Sequence, residues 1–132
     1  MGKTQKAILL AKNDYEQIMS YIRKSFARPK FDRKDIEDLT SEMKKATLLP
    51  TEEMPADVVR LNSTVTIQEE DANKAIQLVV VTPEKADIKT RKVSIFSPIG
   101  TALIGFRKGE KISWSVPSGK KVFTILDVAN NF

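Results

Sequence analysis

"SPIGTALIGFRKGEKISWSVPSGKKVFTILDV", residues 97–128, decides how the chain is read. Ser97-Pro98 opens a short helix over 98–105, because proline at the first helical position lacks only an N–H that would be unpaired anyway. The body of that helix is apolar. Gly105 suits the left-handed position just past a helix end. "EKISWSVP" (110–117) then alternates Ile112, Trp114 and Val116. "KKVFTILDV" (120–128) sets Val122, Thr124, Leu126 and Val128 against Phe123 and Ile125. Both are strand patterns, and Pro117-Ser118-Gly119 is the turn between them. No catalytic side chain sits in the stretch, so it is either scaffold or a surface read by a partner.

Working back from it, "KADIKTRKVSIFS" (85–97) reads as a polar loop leading into a short strand. "VVRLNSTVTIQEE" (58–70) and "KAIQLVVVTP" (74–83) are β-branched runs separated by an Asp-Ala-Asn turn, hence two more strands. Pro50 and Pro55 bracket "TEEM" as a linker. Before it the period changes. Residues 13–24 predict a helix with Asn13 as N-cap, Glu16 completing a capping box, and Tyr15, Ile18, Met19 and Ile22 in one apolar stripe. Residues 32–47 predict another, capped by Asp32, with Asp35 in its first turn and Ile36, Leu39, Met43 and Ala46 along a seam. Pro29 forbids one continuous helix. Two such helices on a short loop pack antiparallel, each roughly 18–24 Å long at 1.5 Å per residue. The fold class is therefore α+β: a short helical hairpin over 1–50, then an antiparallel sheet with one short helix over 51–132.

Composition narrows function by exclusion. Among 132 residues there is no cysteine and no histidine. That removes disulfides, thiolate metal sites, the commonest general base and the usual activator of a nucleophile. No apolar run is long enough to span a bilayer, and no signal peptide is recognisable, so a cytoplasmic location without membrane contact is expected. No catalytic, metal or cofactor residues are assigned. The net charge of +5 is unevenly placed. Residues 23–34 hold Arg23, Lys24, Arg28, Lys30, Arg33 and Lys34 against Asp32 alone, a local +5 at the end of the hairpin. Such a cluster is solvated, meets nucleic-acid phosphates without sequence preference, or meets an acidic protein surface. Phe26 and Phe31 beside it either stack on bases or staple the end of the hairpin. Trp114 and Phe123, in neighbouring strands, are expected to fill the core.

The opening stretch resembles the C-terminal domain of bacterial Gre-type transcript cleavage factors. The likeness rests on Ser97, Pro98, Ile99, Gly100, Ala102, Leu103, Ile104, Gly105, Lys108, Gly109, Glu110, Pro117 and Gly119, with Asn62-Ser63-Thr64-Val65 resembling the start of the same domain. Ile112-Ser113-Trp114, "ILLAKNDYEQI" and the short hairpin look closer to the Rnk branch, the regulators of nucleoside diphosphate kinase. The resemblance implies an FKBP-like domain that docks on RNA polymerase at the rim of the secondary channel, with the hairpin pointing into it. It implies docking by Ser97, Pro98, Ile99 and Gly100, and an acting tip of Phe26, Arg28, Lys30, Phe31, Asp32, Arg33, Lys34 and Asp35. Gre-type factors carry paired tip carboxylates that help hold a second magnesium ion in the polymerase, where hard oxygen ligands are required. Here Asp32 and Asp35 are the only local carboxylates, among four cations.

The expectation is thus a non-enzymatic, monomeric RNA polymerase-binding regulator that competes with cleavage factors. It would touch nucleic acid only indirectly, within the transcription complex. The alternatives are a genuine cleavage and elongation factor using Asp32 and Asp35, and an FKBP-like prolyl isomerase or chaperone.

Overall fold

The computed structural model describes residues 8–27, 33–70, 72, 74–116 and 119–130. The hairpin helices are α1 (Lys12–Ala27) and α2 (Arg33–Lys45), flanked by β1 (Leu9–Ala11) and β2 (Thr47–Leu49). Then come β3 (Thr64–Glu69), β4 (Ala75–Val81), β5 (Lys92–Ser94), α3 (Pro98–Leu103), β6 (Lys111–Val116) and β7 (Gly119–Ala129). The main sheet runs β5-β4-β3-β7-β6. Helices and strands fall where the periods of 3.6 and 2 put them, in an α+β arrangement.

Four local readings differ from the sequence-based ones. Helix α1 begins at Lys12, so Asn13 lies inside the first turn, and its Oδ1 accepts from Thr51 Oγ1 at 2.5 Å instead of capping. The sheet is not wholly antiparallel: β5 joins β4 in parallel, because the connection over 82–91 carries the chain back to the level of Val79 before β5 starts. The short strands β1 and β2 also pair in parallel and close the base of the hairpin. "TEEM" is not a slack linker, since Thr51–Glu53 forms a 3-10 turn with Glu53 N donating to Pro50 O at 2.9 Å.

Along β7 the strict alternation fails. Partners of β3 jump from Asp127 to Ile125 between Thr66 and Ile67, leaving Leu126 as an extra residue. A bulge of this kind shifts the phase of one strand. Val128 therefore joins Phe123 and Ile125 on the buried face, and Leu126 is exposed. The predicted core position of Phe123 holds; the Trp114 side chain lies outside the described residues.

Packing joins hairpin and sheet. Ile18 and Ile22 of α1, with Ile36, Leu39 and Met43 of α2, are buried in one apolar cluster with Val65, Ile67, Val80, Phe123 and Ile125. Helix α3 adds Ile99 and Leu103 to it. Its first turn presses on the end of β5, where a Cβ on Gly100 would come within 2.1 Å of Ser94 O.

Gly105 is where three segments meet. Its N–H donates to Val59 O at 3.0 Å, its O accepts from Leu9 N at 3.1 Å, and Val59 N donates to Phe106 O at 2.8 Å. Its φ is +84°, and a Cβ there would stand 2.6 Å from Ile8 Cβ. Gly109 also has a positive φ, +93°, but its surroundings are empty. Gly109→Ala should lose about 1–2 kcal/mol, the backbone penalty alone. Gly105→Ala should lose that plus about 1–3 kcal/mol of overpacking. Urea denaturation of the two variants checks this, and equal losses would show that Ile8 moves aside.

Candidate functional site

The hairpin is mounted on the sheet domain by polar contacts as well as by its apolar seam. Asp14 lies one turn before Ile18 on the buried face of α1. Its Oδ2 receives Arg60 Nε at 3.3 Å, with the two side chains only 5% and 13% exposed. Leu61 N approaches the same oxygen at 3.4 Å. Arg60 is held in turn by its own loop. Arg60 N donates to Ser63 Oγ at 2.6 Å, and Ser63 donates to Asn130. Asn130 Nδ2 donates to Ala56 O at 2.9 Å and Val58 O at 3.0 Å. Two turns further along α1, Tyr21 donates its hydroxyl proton to Glu84, in the 3-10 turn Pro83–Lys85 after β4. The hydrogen bond raises the Tyr21 pKa and lowers that of Glu84, because it favours the phenol and the carboxylate.

These four residues were not singled out from the sequence. For Asp14 a signal existed: a carboxylate in register with Ile18 and Ile22 sits on the apolar stripe, where an unpaired charge is not tolerated. Arg60, Tyr21 and Glu84 carried none.

Of the residues predicted for the tip, the structure describes only some. Arg33 and Lys34 are exposed in the first turn of α2, with Arg33 Nε 3.5 Å from Glu37. Phe26 is in the last turn of α1 and Asp35 in the first turn of α2, but their side chains lie outside the described residues. Arg28, Lys30, Phe31 and Asp32, including the expected cap at Asp32, lie outside them altogether. The predicted docking segment divides. Ser97 caps α3, accepting from Gly100 N at 3.1 Å and donating to Ser94 O at 2.6 Å. Pro98 is exposed, whereas Ile99 and Gly100 are buried and face the core. Among the described residues no three acidic side chains gather as a metal site, and no helix is long and apolar enough to cross a membrane.

Comparison with known proteins bears on the same region. Residues 54–130 match the family described as transcription elongation factor, GreA/GreB, C-terminal. The chain is 34% identical over 92 residues to the transcription elongation factor GreA of Rhodospirillum rubrum, covering 70% of this chain and 57% of that protein. It is 34% identical over 93 residues to the GreA of Pelobacter propionicus, covering 70% and 59%. The chain thus spans less than two thirds of the length of these curated relatives. Among solved structures it resembles a GreA/GreB elongation factor from Nitrosomonas europaea, at 30% identity and a TM-score of 0.77 over 93% of this chain and 99% of that one. Gfh1 of Thermus thermophilus, at 23% identity and a TM-score of 0.51 over 95% and 100%, shows the fold alone. The Rnk likeness rests on sequence motifs only. The expectation of a non-enzymatic regulator set apart from the Gre-type factors is corrected: the curated relatives are named transcription elongation factor GreA, and the similar solved structure is a GreA/GreB factor.

The mounting is testable through Asp14. Burial pushes its carboxyl above the ordinary carboxylate range, and the Arg60 guanidinium opposes that without cancelling it. Protonated Asp14 thus stabilises the fold relative to ionised Asp14. Its contribution is complete below the unfolded pKa, about 4, and declines as pH rises through the folded value. Asp14→Asn keeps an oxygen for Arg60 and Leu61 N and does not ionise. The stability of the native protein relative to Asp14→Asn should therefore fall as pH rises from about 3 to 7. Urea melts across that range measure it, and a native protein that gains stability relative to Asp14→Asn as pH rises would show that the Arg60 attraction outweighs burial.

Proposed function

This chain belongs to the GreA/GreB family of transcription elongation factors, and on that premise we propose that it acts on bacterial RNA polymerase as a cleavage and elongation factor. The sheet domain docks at the rim of the secondary channel, and the hairpin is directed inward. The observation that carries this reading is the mounting of the hairpin. The family domain meets α1 at Asp14 and Tyr21 as well as along its apolar stripe, so the helix is set against the sheet domain and not hung on a tether. A rigid mount is what the delivery of chemical groups to another protein's active centre requires.

Asp32 and Asp35 are the carboxylates available at that end. Two carboxylates do not saturate a divalent ion, which takes about six oxygen ligands. Asp32 and Asp35 would instead complete the ligand set of a magnesium ion held by the polymerase, and the ion would supply an activated water there. Arg28, Lys30, Arg33 and Lys34 repel the metal but attract the phosphates of the displaced RNA, so they hold the transcript beside the carboxylates. Contact through the exposed Pro98 and the cap at Ser97 is part of the same proposal, with Ile99 and Gly100 shaping the turn from within.

A backtracked polymerase complex with end-labelled RNA tests the reading. The protein should shorten the RNA faster than polymerase alone. Asp32→Ala with Asp35→Ala should slow that cleavage on the order of a hundredfold, the scale of losing one transition-state charge partner, while binding persists. RNA left at full length at saturating protein would overturn the cleavage role.

A further inference from the structure

Ile88 is the outlier of the surface. Its side chain is 94% exposed, against 37–38% for Leu48, Ile76 and Leu126. The exposure does not come from a slack loop. Asp87 and Lys92 exchange two backbone hydrogen bonds of 2.9 Å, and Arg91 N donates to Ile88 O at 3.1 Å. The Asp87 carboxylate accepts from Lys89 N at 3.0 Å, and Arg91 takes a left-handed φ of 59° to close the turn. A closed turn thus holds an isoleucine out in water, and none of the described residues covers it.

The charges around it are one-sided. Lys85, Lys89, Arg91 and Lys92 are all exposed in the same loop. Of the two carboxylates there, Glu84 is engaged by Tyr21 and Asp87 by the Lys89 amide. Among the described residues, Lys89, Arg91 and Lys92 form no ion pair. An apolar centre ringed by cations is the layout of a binding hot spot, in which one desolvated anchor is sealed by a polar rim. It suits a protein better than a nucleic acid, since single strands are gripped by aromatic platforms and not by an aliphatic side chain.

We propose that the 84–92 loop is a docking knob: Ile88 enters an apolar socket on an acidic protein surface, and the lysines and Arg91 meet carboxylates around it. Resting on the proposed function, we assign that surface to RNA polymerase, as a contact separate from Ser97 and Pro98.

The full chain is titrated against core RNA polymerase by fluorescence anisotropy. Ile88→Ala should weaken binding about tenfold, the scale of one buried aliphatic side chain. Its thermal melt should be unchanged, since the side chain packs on nothing. Lys89→Glu with Lys92→Glu should weaken binding further, and that loss should shrink at high salt. Native protein that binds, with Ile88→Ala binding equally well, overturns the knob and leaves the proposed function standing. Native protein that does not bind polymerase overturns both. A single-stranded RNA 20-mer is the second probe. RNA binding lost in the Glu variants, with polymerase binding indifferent to Ile88, overturns the knob in favour of a nucleic-acid contact.

Discussion

The backbone of Gly105 is the joint on which the rest of the molecule hangs. Through it the end of α3 bonds both to Val59, which leads into the sheet, and to Leu9, which leads into the hairpin. Two main-chain hydrogen bonds from one residue to two distant segments require close approach from both sides. Ile8 already fills the space a side chain would need. The positive φ that ends α3 is the same torsion that aims the peptide groups at their two partners. A helix stop and a junction between segments are thus one feature.

Beyond that joint the hairpin is steadied by two polar contacts of different kinds. Asp14 and Arg60 are almost wholly buried, so both lose hydration and neither is readily removed alone. Burial raises the Asp14 pKa and the Arg60 attraction only partly offsets it, so the pairing adds little net stability. Tyr21 and Glu84 meet in the open, where a hydrogen bond is easily exchanged for water and stabilises little. Six residues of α1 follow Tyr21, about 9 Å of helix. Ile22, one residue on, is still buried in the cluster shared with the sheet.

The exposed cations are unevenly placed. The cations of the α1–α2 end and those of the 84–92 loop are far apart in sequence, yet the Tyr21–Glu84 contact sets α1 beside that loop. Elsewhere the surface is more evenly paired: Lys111 with Glu70, Lys121 with Glu69, and Lys108 with Asp127. Such exposed pairs contribute little to stability.

Much of this was legible from the residues alone. Burying one face imposes a period of 3.6 on a helix and 2 on a strand, so the stripes through Ile18 and Ile22, through Leu39 and Met43, and through Phe123 and Ile125 announce their elements locally. Ser97-Pro98 and Gly105 mark the ends of α3 by torsional preference, which is also local. The order of α1, α2, β3, β4, β5, α3, β6 and β7 and the fold class follow in this way, whereas β1 and β2 do not; the family is seen by resemblance to its motif. What resisted was every feature that needs a second segment. Val128 changed faces because the bulge is a property of the β3–β7 pairing. The parallel direction of β5 depends on where a ten-residue connection returns. The Arg60 partner of Asp14, 46 residues away, has no pattern of its own. Ile88 looks like any residue of a polar loop until the closed turn shows its side chain uncovered by any described residue. Periodicity and torsion act within a few residues, whereas a partner is chosen by the path of the folded chain, and only the tertiary structure contains that path.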